Sequence, residues 1–249
     1  MKKNLLTILI VSLFVAFYSC KTQNTTAPTA STSPTDTINT LTSQEIADGW
    51  QLLWDGKTFN GWHNFNKDSL VGWKIENGEL ISLGLGGDHA NDIVTNNEYQ
   101  NFELSVEWKI SPQGNSGIFY YAVEGKHDEI YAIAPEFQLV DELGWPDKLE
   151  EWQKTGACYA MYTAKSDKIL KKVGEYNLSR LIVNNTKVEH WLNGEKVVEY
   201  QLGSEEWNKL AKEGKWKDFP DYASAKTGKI GLQDHGKSTF FRNIKIKVL

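Results

Sequence analysis

The chain has 249 residues, with 27 lysines and arginines against 32 aspartates and glutamates, for a formal net charge of -5. No basic stripe is present to neutralise phosphates, which argues against a nucleic-acid partner. Only two cysteines occur, Cys20 and Cys158, and ten each of Trp, Tyr and Phe supply more aromatic surface than a core of this size needs, a first hint of a ligand that stacks on rings.

Residues 1–20 read as a targeting segment. Lys2 and Lys3 precede an apolar run from Leu5 to Tyr18, and Ser19-Cys20 closes it. The run is too short for a membrane-spanning helix. A Cys directly after such a run and a small residue resembles a bacterial lipoprotein cleavage site, with Cys20 the lipid-bearing first residue of the mature chain. Phe17, where Leu is usual, keeps an ordinary secretory signal as the alternative. The expected location is the cell envelope, as a periplasmic or outer-membrane lipoprotein that touches the membrane through its lipid alone. Residues 21–45 are rich in Thr, Ser, Pro, Asn and Gln, the composition of a flexible tether. Residues 46–249 suit one domain with a proper core. With Cys20 set aside, Cys158 has no partner for a disulfide and lies in an apolar run, as a core residue would.

Within that domain the elements are short. A strand over Gln51–Trp54 enters a loop with Asp55-Gly56 and Asn60-Gly61, and Trp73–Ser82 makes a hairpin about Asn77-Gly78. Residues 84–91 form a Gly-rich loop with no helix after it and hence no phosphate-binding fingerprint; His89 with Asp88 and Asp92 reads as mixed loop polarity rather than a metal site. Phe102–Ile110 alternates, with Phe102, Leu104, Val106, Trp108 and Ile110 inward and Glu103, Ser105, Glu107 and Lys109 outward. Pro112–Gly117 is expected to turn the chain, and Ile118–Val123 to return as a strand. Further strands are expected at Glu136–Leu139, Cys158–Tyr162, Asn177–Asn184, Lys187–Leu192, Lys196–Gln201, Gly228–Asp234 and Thr239–Leu249, with one helix over Ser204–Glu213. Many short strands with Asx-Gly turns predict an all-β antiparallel sandwich.

The strand from Glu136 carries the most chemistry. Glu136 and Gln138 share one side, Phe137 and Leu139 the other, and Asp141 follows. Strict alternation puts Glu136 and Asp141 on opposite faces, although a single bulge would bring them together. If neighbouring strands add Glu107, Gln233 and His235, a groove of carboxylates, amides and an imidazole beside Trp side chains such as Trp145 would suit a sugar. Gly231 would leave room for a ligand or make a tight sheet contact, and Asn115-Ser116-Gly117 would sit at the rim. His235 is placed for acid–base work near neutral pH. Arg242 would fix a carboxylate such as Glu136 or Asp141, or pin the terminal strand. No Ser-His-Asp spacing and no Cys/His metal cluster is recognisable.

The segments Trp54-Asp-Gly-Lys-Thr-Phe-Asn-Gly-Trp62, Asn101-Phe-Glu-Leu to Trp108, Gly114-Asn-Ser-Gly-Ile-Phe119, Glu136-Phe-Gln-Leu-Val-Asp141, Thr155-Gly-Ala157, His190-Trp-Leu-Asn-Gly194 and Gly231-Leu-Gln-Asp-His-Gly236 with Phe241-Arg-Asn-Ile244 together resemble the 3-keto-disaccharide hydrolase domain family. The resemblance covers about residues 48–248 in matching order. It implies a concanavalin A-like jelly roll and cleavage of glycosides already oxidised to a 3-ketone. On that resemblance Glu136 or Asp141 is the expected base and His235 the proton donor, while Gln138, Gln233, Asn115 and Arg242 orient sugar and enolate. Glu107 and Trp145 complete the expected substrate contacts. A carbohydrate is the expected partner and no cofactor is called for, with assistance by a divalent ion left open. Two other readings stand beside it. Glu136-x-Gln-x-x-Asp141 echoes the Glu-x-Asp-x-x-Glu strand of endo-glucanases, and a non-catalytic glycan-binding protein would use the same rings and amides.

Overall fold

The computed structural model describes residues 37–85 and 91–249. The targeting segment with Cys20, the tether up to residue 36, and Asp88 and His89 lie outside the described residues.

Among the described residues thirteen strands form two antiparallel sheets. In chain order they are β1 (Trp50–Leu52), β2 (Trp62–Asn64), β3 (Trp73–Glu76), β4 (Glu79–Ser82), β5 (Ile93–Thr95), β6 (Phe102–Ile110), β7 (Asn115–Ala122), β8 (Glu136–Val140), β9 (Asn177–Asn184), β10 (Lys187–Leu192), β11 (Glu195–Gln201), β12 (Lys229–Leu232) and β13 (Thr239–Val248). The larger sheet runs β11-β10-β9-β6-β13-β4-β3, with β1 paired to β13; the smaller runs β2-β5-β12-β7-β8. This is a jelly-roll sandwich.

Period-2 patterning explains the larger sheet. On β6 every second residue from Phe102 to Ile110 is buried and those between are half-buried. These side chains meet Ile118, Tyr120, Phe137, Leu139, Ile230 and Leu232 from the smaller sheet in one core. Tight hairpins close at Asn77-Gly78 and Asn193-Gly194, where both residues take positive φ (53° and 73°, 50° and 89°).

The smaller sheet departs from simple alternation. Its strands β7 and β8 are buried on both faces. The outward Phe119 packs with Phe65, Val94, Ile130, Ile133 and Ala134, a second apolar layer supplied partly by the segment before β8. A strand face that would otherwise meet water is thereby roofed. Gly231 serves this layer: a Cβ there would meet Ile130 Cδ1 at 2.6 Å. Its space belongs to a tight protein contact and not to a ligand.

Several local expectations change. Cys158–Tyr162 is a tight turn with Ala160 at φ 57°, closed by reciprocal backbone bonds of 3.0 Å between Cys158 and Tyr162. Asn115-Ser116-Gly117 opens β7 instead of turning; the turn comes earlier, where Gly114 N donates to Ser111 O. Besides the expected helix α2 (Glu205–Glu213), capped by Ser204, a short α1 (Ser43–Ala47) begins at a Thr42–Glu45 capping box. Residues 37–45 are tied to the domain, since Asn39 bonds to Asn243 and Gly78 and Glu45 pairs with Lys245 at 2.7 Å.

Candidate active site

Antiparallel pairing decides which side chains share the outer face of the smaller sheet. Glu136 lies opposite Phe119, Gln138 opposite Gly117, and Gly231 opposite Phe119 from the other side. Residues two apart share a face, so Asn115, Glu136, Gln138 and Gln233 all point outward together. His235 joins through a bridge to Asn115. A cavity of about 310 Å³ opens above them, walled on its far side by Tyr131, Tyr159, Lys215 and Phe219. That size falls among small-molecule sites.

Glu136 is 4 % exposed and lies over Gly117, whose missing Cβ makes its place: a methyl there would sit 2.2 Å from Oε1. Burial pushes its carboxyl up to about 8; the nearby Lys215 charge opposes the rise and Asp92 adds to it. Lys215 is lowered by burial, with Glu136 working against the fall. Asn115 Nδ2 and His235 Nδ1 are 3.1 Å apart; with the amide donating, a neutral imidazole carries its proton on Nε2. Gln138 Oε1 accepts from Leu139 N at 3.0 Å. Gln233 Oε1 and Asn115 Oδ1 are buried with no donor. Orphaned acceptors of this kind cost about 1–3 kcal/mol each, and a ligand hydroxyl can recover that energy.

Beneath this floor lies a buried polar network. His190 Nδ1 meets Gly156 O at 2.9 Å, its Nε2 meets Tyr200 Oη at 3.0 Å, and its ring stacks on Phe137 at 4.5 Å. Burial lowers its imidazole to about 4 and lifts the Cys158 thiol to about 12. His190 is thus a neutral spacer that fixes the strand carrying Glu136.

Four expected site residues stand elsewhere. Between β7 and β8 the register runs from Asn115↔Val140 to Phe119↔Glu136 without a shift, so no bulge turns Asp141 toward Glu136. Asp141 instead accepts from Gln113 N at 2.8 Å and Gly144 N at 2.9 Å and fastens the turn after β8. Glu107 and Arg242 sit on the larger sheet, paired at 2.7 Å, with the guanidinium 3.7 Å over the Tyr176 ring. Trp145 is half-buried in the Asp141 turn and does not line the cavity. Among the described residues no tryptophan lines it. Much of the aromatic surplus is spent in internal stacks such as Trp207–Tyr222 and Trp216–Tyr222, with rings 6.0 and 4.1 Å apart.

Residues 49–247 match the 3-keto-alpha-glucoside-1,2-lyase-like domain. The chain belongs to that family. A 3-keto-disaccharide hydrolase from Bacteroides thetaiotaomicron is 36 % identical over 231 residues, covering 82 % of this chain and 79 % of the relative. A crystal structure of a candidate glycosyl hydrolase from Parabacteroides distasonis is 43 % identical, with a TM-score of 0.81 over 85 % of this chain and 99 % of that one. A second candidate glycosyl hydrolase from the same organism is 30 % identical, with a TM-score of 0.57 over 76 % and 100 %.

In this member of the 3-keto-alpha-glucoside-1,2-lyase-like family, alternation led to Glu136, Gln138, Gln233 and His235 and the expected rim segment to Asn115, while Lys215, Tyr131, Tyr159 and Phe219 were missed. Those four come from turns or irregular segments, where no period marks a face; Tyr131 and Lys215 lie on single 3-10 turns, Ile130–Ala132 and Lys215–Asp218. Among the described residues no three His, Cys, Asp or Glu side chains converge as metal ligands. The assembled site offers one buried carboxyl of raised basicity, one imidazole, one ammonium, three amides and three ring edges or faces.

Proposed function

We propose that the chain cleaves 3-keto-glycosides, with 3-keto-disaccharides among them, by elimination across C1–C2 followed by hydration. The observation that carries this reading is that Glu136 is the sole carboxylate among the described residues lining the cavity. A conventional glycosidase needs two carboxyl groups flanking the bond, and Asp141, the second candidate, is occupied as a turn clamp. Elimination needs one base. The C3 ketone acidifies the C2 hydrogen, Glu136 takes that proton, and the electron pair forms an enolate on the C3 oxygen. Collapse of the enolate expels the C1 oxygen, leaving C1=C2 with the ketone restored. His235 protonates the departing oxygen from its imidazolium form and is left as the neutral imidazole that Asn115 holds. Water then adds hydroxyl to C1 and hydrogen to C2, so the net change is hydrolysis. A family described as lyase-like and a relative named hydrolase are compatible with the first and the net step of one sequence.

A base whose carboxyl titrates near 8 is stronger than an ordinary carboxylate. Gln233 and Asn115, with their unpaired acceptors, suit sugar hydroxyls. The test is turnover in D₂O with product NMR. Elimination and hydration place deuterium at C2 of the released keto sugar; product retaining hydrogen at C2 would mean direct displacement at C1.

We further propose that Cys20 bears a lipid that anchors the domain at the cell envelope. Mass spectrometry of the mature N-terminus should find a lipidated Cys20, and Cys20→Ala should leave the protein in the soluble fraction. Recovery of wild type with an unmodified Cys20 would refute the anchor.

A further inference from the structure

Lys215 is placed in an unusual way for a lysine. Its neighbour Trp216 is driven into the interior, stacked on Tyr222 at 4.1 Å and 2 % exposed. The single 3-10 turn that follows Gly214 leaves the Lys215 stem along the cavity wall. Its Nζ lies 4.3 Å from the centre of the Tyr159 ring, 5.0 Å from Trp216 and 5.5 Å from Tyr131. Three rings attract and orient a cation without neutralising its charge. Among the described residues no carboxylate is within ion-pair distance of Nζ and it donates no hydrogen bond to protein, whereas Lys109 and Lys245 each pair with a glutamate. Lys215 is exposed as a residue, so its ammonium, with N–H donors open to the same cavity as the base, is free to take a ligand oxygen there.

We propose that Lys215 is the electrophilic group of this site: its caged ammonium binds the C3 ketone oxygen of the substrate and stabilises the negative charge that develops there when Glu136 removes the C2 proton. The proposal rests on the elimination reading. Its chemistry is a fixed charge aimed at a developing oxyanion, which is strongest where water is excluded. Nothing is transferred to or from the lysine; it stays an ammonium from ketone to enolate and back. The second effect is on the base itself. A positive charge facing Glu136 favours its ionised form, so the same lysine prepares the carboxylate and receives the charge that the carboxylate creates.

The test uses the full chain, a chromogenic 3-keto-glucoside, and the variants Lys215→Met, Lys215→Gln and Lys215→Arg, each checked for wild-type circular dichroism. Lys215→Met should lower kcat by about 10²–10³-fold with a small change in KM, and should move the acid limb of the rate profile to higher pH by about one unit. Lys215→Arg, keeping the charge, should hold the limb near its wild-type position and recover part of kcat. If Lys215→Met fails to fold, Lys215→Gln carries the comparison. Equal kcat in wild type and Lys215→Met overturns the proposal. A loss that leaves the limb unmoved and is no smaller in Lys215→Arg also overturns it, because the lysine is then structural. Loss confined to KM overturns it in favour of plain substrate binding. These failures differ from failure of the elimination reading, in which wild type itself releases nothing from the keto sugar or gives, in D₂O, a product that retains hydrogen at C2.

Discussion

Gly117→Ala isolates the position of the base from its identity. The added Cβ would lie 2.2 Å from Glu136 Oε1 and 2.7 Å from both Cδ and Cγ, so the carboxylate must retreat by at least about 1 Å to reach ordinary contact. Misplacement on that scale costs on the order of 10²-fold in rate, while overpacking costs about 1–3 kcal/mol of stability. In a domain of this size that corresponds to a fall of roughly 2–4 °C in Tm per kcal/mol. Gly144→Ala is the matched control, because its Cβ would lie 2.1 Å from Asp141 Oδ2. That carboxylate holds a turn away from the cavity. Both variants should lose similar stability by thermal melting. Only Gly117→Ala should lose kcat/KM on a 3-keto-glucoside, measured well below either Tm. Comparable losses in the two, or a Gly117→Ala enzyme within threefold of wild type, would refute the placement of the base.

Two further outcomes follow from the buried carboxyl. Because Glu136 must be ionised to act and titrates near 8, kcat/KM should rise as pH climbs from 5 toward that region, with a fall at higher pH as the proton donor His235 is lost; a profile flat from pH 5 to 9 contradicts the assignment. The same group makes folding pH-dependent. Its folded value lies above the ordinary 4.5, so its contribution is fully present below pH 4.5 and is lost as pH rises to about 8. Glu136→Gln should therefore gain stability relative to wild type across that window, by up to a few kcal/mol, as about 1.4 kcal/mol accrues per unit. Urea melts at pH 5 and pH 8 measure it, and an advantage that does not grow with pH counts against a desolvated Glu136.

The fold was legible because its information is local. Alternation on β6, the Asn77-Gly78 and Asn193-Gly194 turns and the Ser204 cap all act within a few residues. The site was legible only as far as alternation reaches. It says which residues share a face of their own strand, which gathered Glu136 with Gln138 and Gly231 with Gln233. It does not say which sheet a strand joins, so Glu107 and Arg242 were drawn to a groove that belongs to the other sheet. Nor does it tell a solvated face from a roofed one; the layer of Ile130, Ile133 and Ala134 that packs over Phe119 is built by a segment with no period. Lys215 escaped for the same reason. Its position depends on where Trp216 inserts, a long-range packing event. Asp141 shows the reverse error, a carboxylate close in sequence to the base whose two oxygens each hold a backbone amide.

The most direct measurement is aglycone release by wild type and Glu136→Gln from a chromogenic 3-keto-glucoside and, side by side, from its unoxidised parent. Release from the keto sugar alone, reduced by about 10²–10⁴-fold in Glu136→Gln, is the predicted result. Equal release from the parent glucoside, or undiminished release by Glu136→Gln, would contradict elimination at this site, and binding without release from either sugar would make the domain a lectin.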